Sequence, residues 1–201
     1  SRWQRCVIDC VGDAVDSDGG WIGVRGVCRD ATEQRKRDNA LAAAQTREKL
    51  LAYVTRSIHD EIDPSNMLTA AAAATAKAMS AERCKIFQMA PSDTCVLVAE
   101  YGAPPPAGSV EKNLLERAAR DGEPVMGIDT DRHLLFSATN FRQRVNGAIS
   151  VSRNLSDGGW TPDDVTLVQE IATQVAIAIE QAEYHAKLEK LSRTDELTGL
   201  L

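Results

Sequence analysis

The side chains best suited to chemistry in this chain of 201 residues are five cysteines, three histidines and a few paired aspartates. Cys6, Cys10, Cys28, Cys84 and Cys95 are irregularly spaced, and no Cys-x-x-Cys pair occurs. An odd count at such spacing makes a poor disulfide framework and a poor zinc site. The thiols are therefore expected to be reduced and mostly buried, as in a cytosolic protein. Cys6 and Cys10 lie four apart on an extended segment and share a face, the one pairing that offers redox chemistry. His133 is the only histidine in the central region. A lone imidazole there is more often partly buried than a haem or iron ligand. Asp129 and Asp131 fall in a loop, and Asp163 and Asp164 open a helix, where capping and the helix dipole account for them. No Ser/His/Asp set, Cys/His set or Gly-rich phosphate loop stands out. Neither catalysis nor a bound metal is expected of this chain.

Composition narrows the remaining classes. Hydrophobic residues make up 43% and charged residues 26%, enough apolar material for a core. The net charge is −6, and Lys and Arg are scattered among Asp and Glu. Nucleic acid is not an expected partner, because phosphate binding needs clustered positive charge. The longest apolar runs, Leu68–Ala76 and Gln174–Ile179, fall far short of the roughly 20 residues that span a bilayer. No membrane contact by this chain and a cytoplasmic location are expected.

The elements that must position these residues follow from periodicity and punctuation. Trp3–Val11 and Trp21–Cys28 alternate around Asp16-Ser17-Asp18-Gly19-Gly20, which predicts a β-hairpin. A lone hairpin is marginal in water, so this one should pack on something or belong to a larger sheet. Asp30 with Glu33 resembles a capping box. No Pro or Gly follows until after His59, which predicts a helix of roughly 43 Å. Ala40, Ala44, Arg47, Leu51, Val54 and Ile58 keep a 4-3 spacing, a thin heptad seam that strengthens toward its end. Asp63-Pro64 starts a second helix, rich in Ala, to Met79.

Arg83–Met89 and Cys95–Tyr101 read as a hairpin, and Ser109–Asp121 as a helix stopped by Gly122. Pro104-Pro105-Pro106 reads as a stiff loop, with partner docking as a polyproline segment the rival reading. Pro124–Ile128 is a short strand. His133–Thr139 and Val145–Arg153 form a last hairpin, with Gly147 marking a bulge or a close backbone approach. Thr161-Pro162-Asp163-Asp164 opens a helix expected to reach Ser192. Its first half carries a core stripe, Val165, Val168, Ile171, Val175 and Ile179. Its second half carries Tyr184, Leu188 and Leu191 in a different 4-3 seam, suited to a partner helix.

This element order resembles a GAF domain over Leu51–Glu183. Its most specific pieces are Arg142–Ser152 and Trp160–Glu180, ending Gln174-Val-Ala-Ile-Ala-Ile-Glu180. Residues 1–29 are similar to the C-terminal β-hairpin of a PAS domain, with Gly23-Val-Arg-Gly-Val and an Asp30-Ala-Thr32 exit into a signalling helix over 30–50. After a coiled-coil linker over 184–194, residues 195–201 look like the start of a GGDEF diguanylate cyclase domain, on Arg193-Thr-Asp195-Glu-Leu-Thr198-Gly199-Leu200.

The resemblance implies an α/β (α+β) fold: a central, mostly antiparallel sheet flanked by helices, with long signalling helices at both ends. It implies a sensory domain in a PAS–GAF–GGDEF protein that makes cyclic di-GMP. Phe87, Val98, Met126, Phe136, Ile149 and Val151 are expected around an unidentified small-molecule ligand, or else as plain core. Leu51, Val54 and Ile58, with Tyr184, Leu188 and Leu191, are expected to form the dimer and relay helices of a parallel homodimer. A ligand-free dimerisation module is the alternative. The Asn-Lys-x-Phe-x-Asp-Glu pattern of cyclic-nucleotide-binding GAF domains is not found. Neither Cys84 nor Cys95 has the context of a bilin attachment site, so no bilin, haem or metal cofactor is expected.

Overall fold

In the computed structural model, Asp30 begins the long N-terminal helix by turning its carboxylate onto the chain. Asp30 Oδ1 accepts from the Thr32 backbone N at 2.9 Å and from Thr32 Oγ1 at 2.6 Å, which holds the Asp30 carboxyl below its usual value. The structure describes residues 8–17, 20–61, 63–103 and 109–198. Two compact units divide at Glu48 and Lys49. In the first, β1 (Ile8–Ser17) and β2 (Gly20–Asp30) form an antiparallel hairpin that leads into α1 (Thr32–His59). Val11 faces Val27 across this hairpin, and the two are 82% and 78% exposed.

The second unit begins in α1, whose C-terminal part includes the buried Val54 and Ile58. It continues through α2 (Pro64–Ala78), β3 (Arg83–Met89), β4 (Cys95–Tyr101), α3 (Ser109–Asp121), β5 (Val125–Asp129), β6 (Arg132–Phe141), β7 (Arg144–Asn154) and α4 (Pro162–Thr198). Every pairing in its five-stranded sheet, ordered β4-β3-β7-β6-β5, is antiparallel. The mixed helix and antiparallel sheet architecture expected from the sequence is the one present.

Side-chain alternation divides this sheet between two cores. Cys84, Ile86, Leu135, Ile149 and Val151 pack with Val54 and Ile58, with α2 and with the first half of α4. On the other face Phe87, Leu134, Phe136 and Ala148 pack with Leu115 and Ala118 of α3. The alanines of α2 lie at 0% exposure at positions 71, 72 and 76, allowing the close approach that the sequence suggests.

The last hairpin is longer than its sequence predicts, because Arg142 and Gln143 both adopt positive φ (48° and 66°) and close a two-residue turn. Thr139 pairs with Gly147 but Asn140 with Val145, so Asn146 is the extra residue of a bulge. A Cβ on Gly147 would lie 2.1 Å from the Phe87 carbonyl oxygen, so glycine there permits the close β3–β7 approach. At the head of α4, Thr161 N donates to Asp164 Oδ2 at 2.8 Å while Asp164 N donates to Thr161 Oγ1 at 3.2 Å. This reciprocal capping box is built with Asp in the acidic position. α4 extends past Ser192 to Thr198 as 37 helical residues, about 55 Å. No helix among the described residues is long and apolar enough to cross a membrane.

Candidate functional site

Strand parity decides where each expected pocket residue goes, and it separates them. Phe87 and Phe136 lie in the core under α3, whereas Ile149 and Val151 lie in the core under α2 and α4. Met126 pairs with Leu135 on edge strand β5 and is 57% exposed. Val98 is the extra residue of a second bulge, since Ile86 pairs with Ala99 and Phe87 with Leu97. It lines a groove beside α4. The six therefore do not line one cavity.

A cavity of about 850 Å³ opens between the flank of α3 and the ends of the two hairpins. Met89, Cys95, Leu115, Glu116, Arg120 and Arg144 are among its walls. The groove beside α4, about 590 Å³, is lined by Gln88, Met89, Val98, Arg144, Glu183 and Lys187 among others. Met89 and Arg144 border both spaces. Below the groove, α4 is fastened to the sheet end. Asn146 Nδ2 donates to Ala176 O at 2.9 Å and to Glu180 Oε1 at 3.1 Å, and Gln88 Nε2 donates to Glu183 Oε1. Sequence reasoning missed Met89, Glu116 and Arg144, because they come from a strand end, a helix flank and a hairpin turn that only the tertiary fold brings together.

The thiols are split as well. Cys84 is fully buried in the α2–α4 core, and burial pushes its thiol pKa far up. Cys95 is half-buried at the α3 cavity, raised by burial and then by the Glu116 carboxylate. Both shifts disfavour the nucleophilic thiolate. The expectation of reduced thiols fails for Cys10, which is exposed and disulfide-bonded. The β1–β2 register sets Cys28 opposite Cys10, a cross-strand relation that spacing along one strand does not reveal. Cys6 lies outside the described residues.

The relay residues also part company. Val54 is 0% and Ile58 2% exposed in the core of their own unit, and Leu51 packs partly against that core. Tyr184, Leu188 and Leu191 are 62%, 44% and 64% exposed on α4. The carboxylates Asp129 and Asp131 sit at the β5–β6 turn. Asp164 serves the α4 cap and pairs with Arg153 Nη2 at 2.7 Å. That guanidinium stacks 3.9 Å from the Trp160 ring centroid. Pro104–Pro106 and Gly199–Leu201 lie outside the described residues.

The fold recurs in solved structures. The GAF domain of a phosphoenolpyruvate-protein phosphotransferase (ptsP) from Coxiella burnetii aligns at a TM-score of 0.59 and 15% identity, over 72% of this chain and 98% of that one. The corresponding Acinetobacter domain aligns at 0.56 and 17% identity, over 68% and 93%. Free methionine-R-sulfoxide reductase from Neisseria meningitidis, solved with its substrate, aligns at 0.57 and 17% identity, over 72% and 93%. No curated protein matches the chain by sequence. The GAF-domain family model matches residues 63–181, the segment that holds the sheet, α2, α3 and the core-facing part of α4. GAF domains are sensory and regulatory modules, and this chain belongs to that family.

Proposed function

We propose that this chain senses a small molecule in the α3-side cavity and relays its binding through α4, as one half of a parallel homodimer, to a diguanylate cyclase domain. The observation that carries this reading is the split character of α4. Residues Leu167 to Ile179 bury its stripe in the core, and the same unbroken helix then exposes Tyr184, Leu188 and Leu191. Exposed apolar residues in a 4-3 seam are suited to a partner helix. The helix runs on into Arg193-Thr-Asp-Glu-Leu-Thr, the segment that resembles a cyclase start. Met89 and Arg144, shared by cavity and groove, offer a physical connection between ligand and helix. The exposed Val11–Val27 pair fits a hairpin belonging to a larger, PAS-like sheet. Coupling requires that the ligand bind two packings of α4 with different affinity.

The test is cyclic di-GMP formation from GTP by the chain with its natural C-terminal continuation, beside native mass spectrometry of the chain from its host. Turnover together with a reproducible extra mass on the dimer supports the reading. Absence of turnover overturns the cyclase assignment. A clean dimer without extra mass would favour the second reading, a ligand-free dimerisation module. That reading is favoured by the way Phe87, Leu134 and Phe136 fill the sheet face under α3.

A further inference from the structure

On the α3 side of the sheet, near the start of β3, two arginines each bury an Nε that has no hydrogen-bond partner. Arg83 opens β3 and Arg132 opens β6, with β7 between them. Strand spacing puts their backbones roughly 10 Å apart or slightly more, within joint reach of two long side chains. Arg83 is 8% exposed and the Arg132 side chain 18%. Burial and then repulsion from Arg132 lower the Arg83 pKa, outweighing the attraction of Glu111, Glu82 and Glu100.

The nearby acids are shared with other groups, distant or exposed. Glu111 is held by Lys85 Nζ at 2.7 and 2.9 Å, and Glu82 accepts from Asn154 Nδ2. Glu100 lies on the exposed edge strand, opposite Lys85. Asp131 Oδ1 forms an ion pair with Arg132 Nε at 3.6 Å, longer than a hydrogen bond and made by a carboxylate that is 66% exposed. Ser152, 6% exposed, pairs with Arg83 across the β3–β7 ladder and adds a buried hydroxyl.

A buried cation whose counter-charges are distant or shared is costly, and the cost falls when an anion completes it. Guanidinium is the group suited to this task, because its planar fork meets a carboxylate or phosphoryl oxygen pair in bidentate fashion. We propose that Arg83 and Arg132 form a binding site for a small anion bearing a carboxylate or phosphoryl group. Neither residue borders the α3 cavity or the α4 groove described above, and the site does not depend on the cyclase assignment.

The test uses the full chain in low-salt chloride buffer, titrated calorimetrically with inorganic phosphate and, separately, with succinate. Saturable binding of one probe is expected, and the probe that binds identifies the group as phosphoryl or carboxylate. Arg83→Gln and Arg132→Gln should each weaken it at least tenfold, whereas Arg142→Gln, on the β6–β7 turn, should not. Arg83→Met supplies a second readout without any probe. It keeps the apolar stem and removes the charge, so the midpoint of urea unfolding should hold or rise. Failure of both probes to bind, wild-type binding by Arg83→Gln, or a tenfold fall in the folding equilibrium constant of Arg83→Met would each overturn the site. None of these measurements reads α4 or cyclase output, so such a failure leaves the sensory reading standing.

Discussion

The Asn146 side-chain amide donates to the Glu180 carboxylate across 3.1 Å, and the same nitrogen donates to the Ala176 carbonyl at 2.9 Å. Its oxygen accepts from Thr139 Oγ1 at 2.9 Å. The bulge at Asn146 makes this geometry available, turning the side chain toward α4 where strict alternation would turn it to α3. The clasp sits just before α4 changes from core helix to exposed helix. Asn146→Ala leaves the buried Thr139 hydroxyl without its acceptor and removes both side-chain bonds that tie β7 to α4. It should cost about 1–3 kcal/mol of folding stability. Urea denaturation checks this, and a midpoint equal to wild type would show that the clasp contributes nothing.

Gly147, the next residue, faces a harder limit. An alanine Cβ there would meet the Phe87 carbonyl oxygen at 2.1 Å, with Ile179 Cδ1 and Thr139 Oγ1 both at 3.0 Å. Gly147→Ala must push β7 from β3 and should destabilise by about 2 kcal/mol or more. Thermal unfolding is the measurement. A melting temperature within a degree of wild type would mean that the two strands are not held this closely.

The two ends of the expected relay seam should respond differently. Leu188→Ser with Leu191→Ser changes residues exposed in one chain, so the core should keep its melting behaviour while sedimentation shifts from dimer toward monomer. Ile58→Ala removes a side chain 2% exposed and should cost about 2–5 kcal/mol of folding stability. An unchanged dimer in the double variant would sink the seam assignment on α4.

The buried thiol sets a pH dependence. Burial raises the Cys84 pKa in the folded state, so above the pKa of an unfolded thiol the native chain binds more protons than the unfolded chain. Stability is therefore unaffected by this group below about pH 8.5 and falls as pH rises beyond it. Cys84→Ala should flatten that alkaline loss in urea titrations between about pH 8 and 10. In the native protein at pH 8, iodoacetamide should spare Cys84 until denaturant is added. Rapid native alkylation of Cys84 would contradict its burial.

Sequence alone determined the order of the elements, because their signals are local. Asp30, Thr161 with Asp164, Gly122 and the alternation of β3 and β4 each act within a few residues. The GAF resemblance rested on the same local record, and the family match over 63–181 agrees with it. Tertiary structure alone decided which residues share a surface. Alternation sorts a strand into two sets without saying which helix covers either set. The bulges at Val98 and Asn146 then displace the count. Register sets Ile149 and Val151 on the opposite face from Phe87 and Phe136, the edge position of β5 leaves Met126 exposed, and the meeting of hairpin ends lets Met89 and Arg144 border both spaces. Heptad spacing likewise does not distinguish a partner helix from the chain's own core, and folding buried Val54 and Ile58 while leaving Leu188 and Leu191 in the open. Arg83 and Arg132 are 49 positions apart, and only strand pairing through β7 brings their charges together.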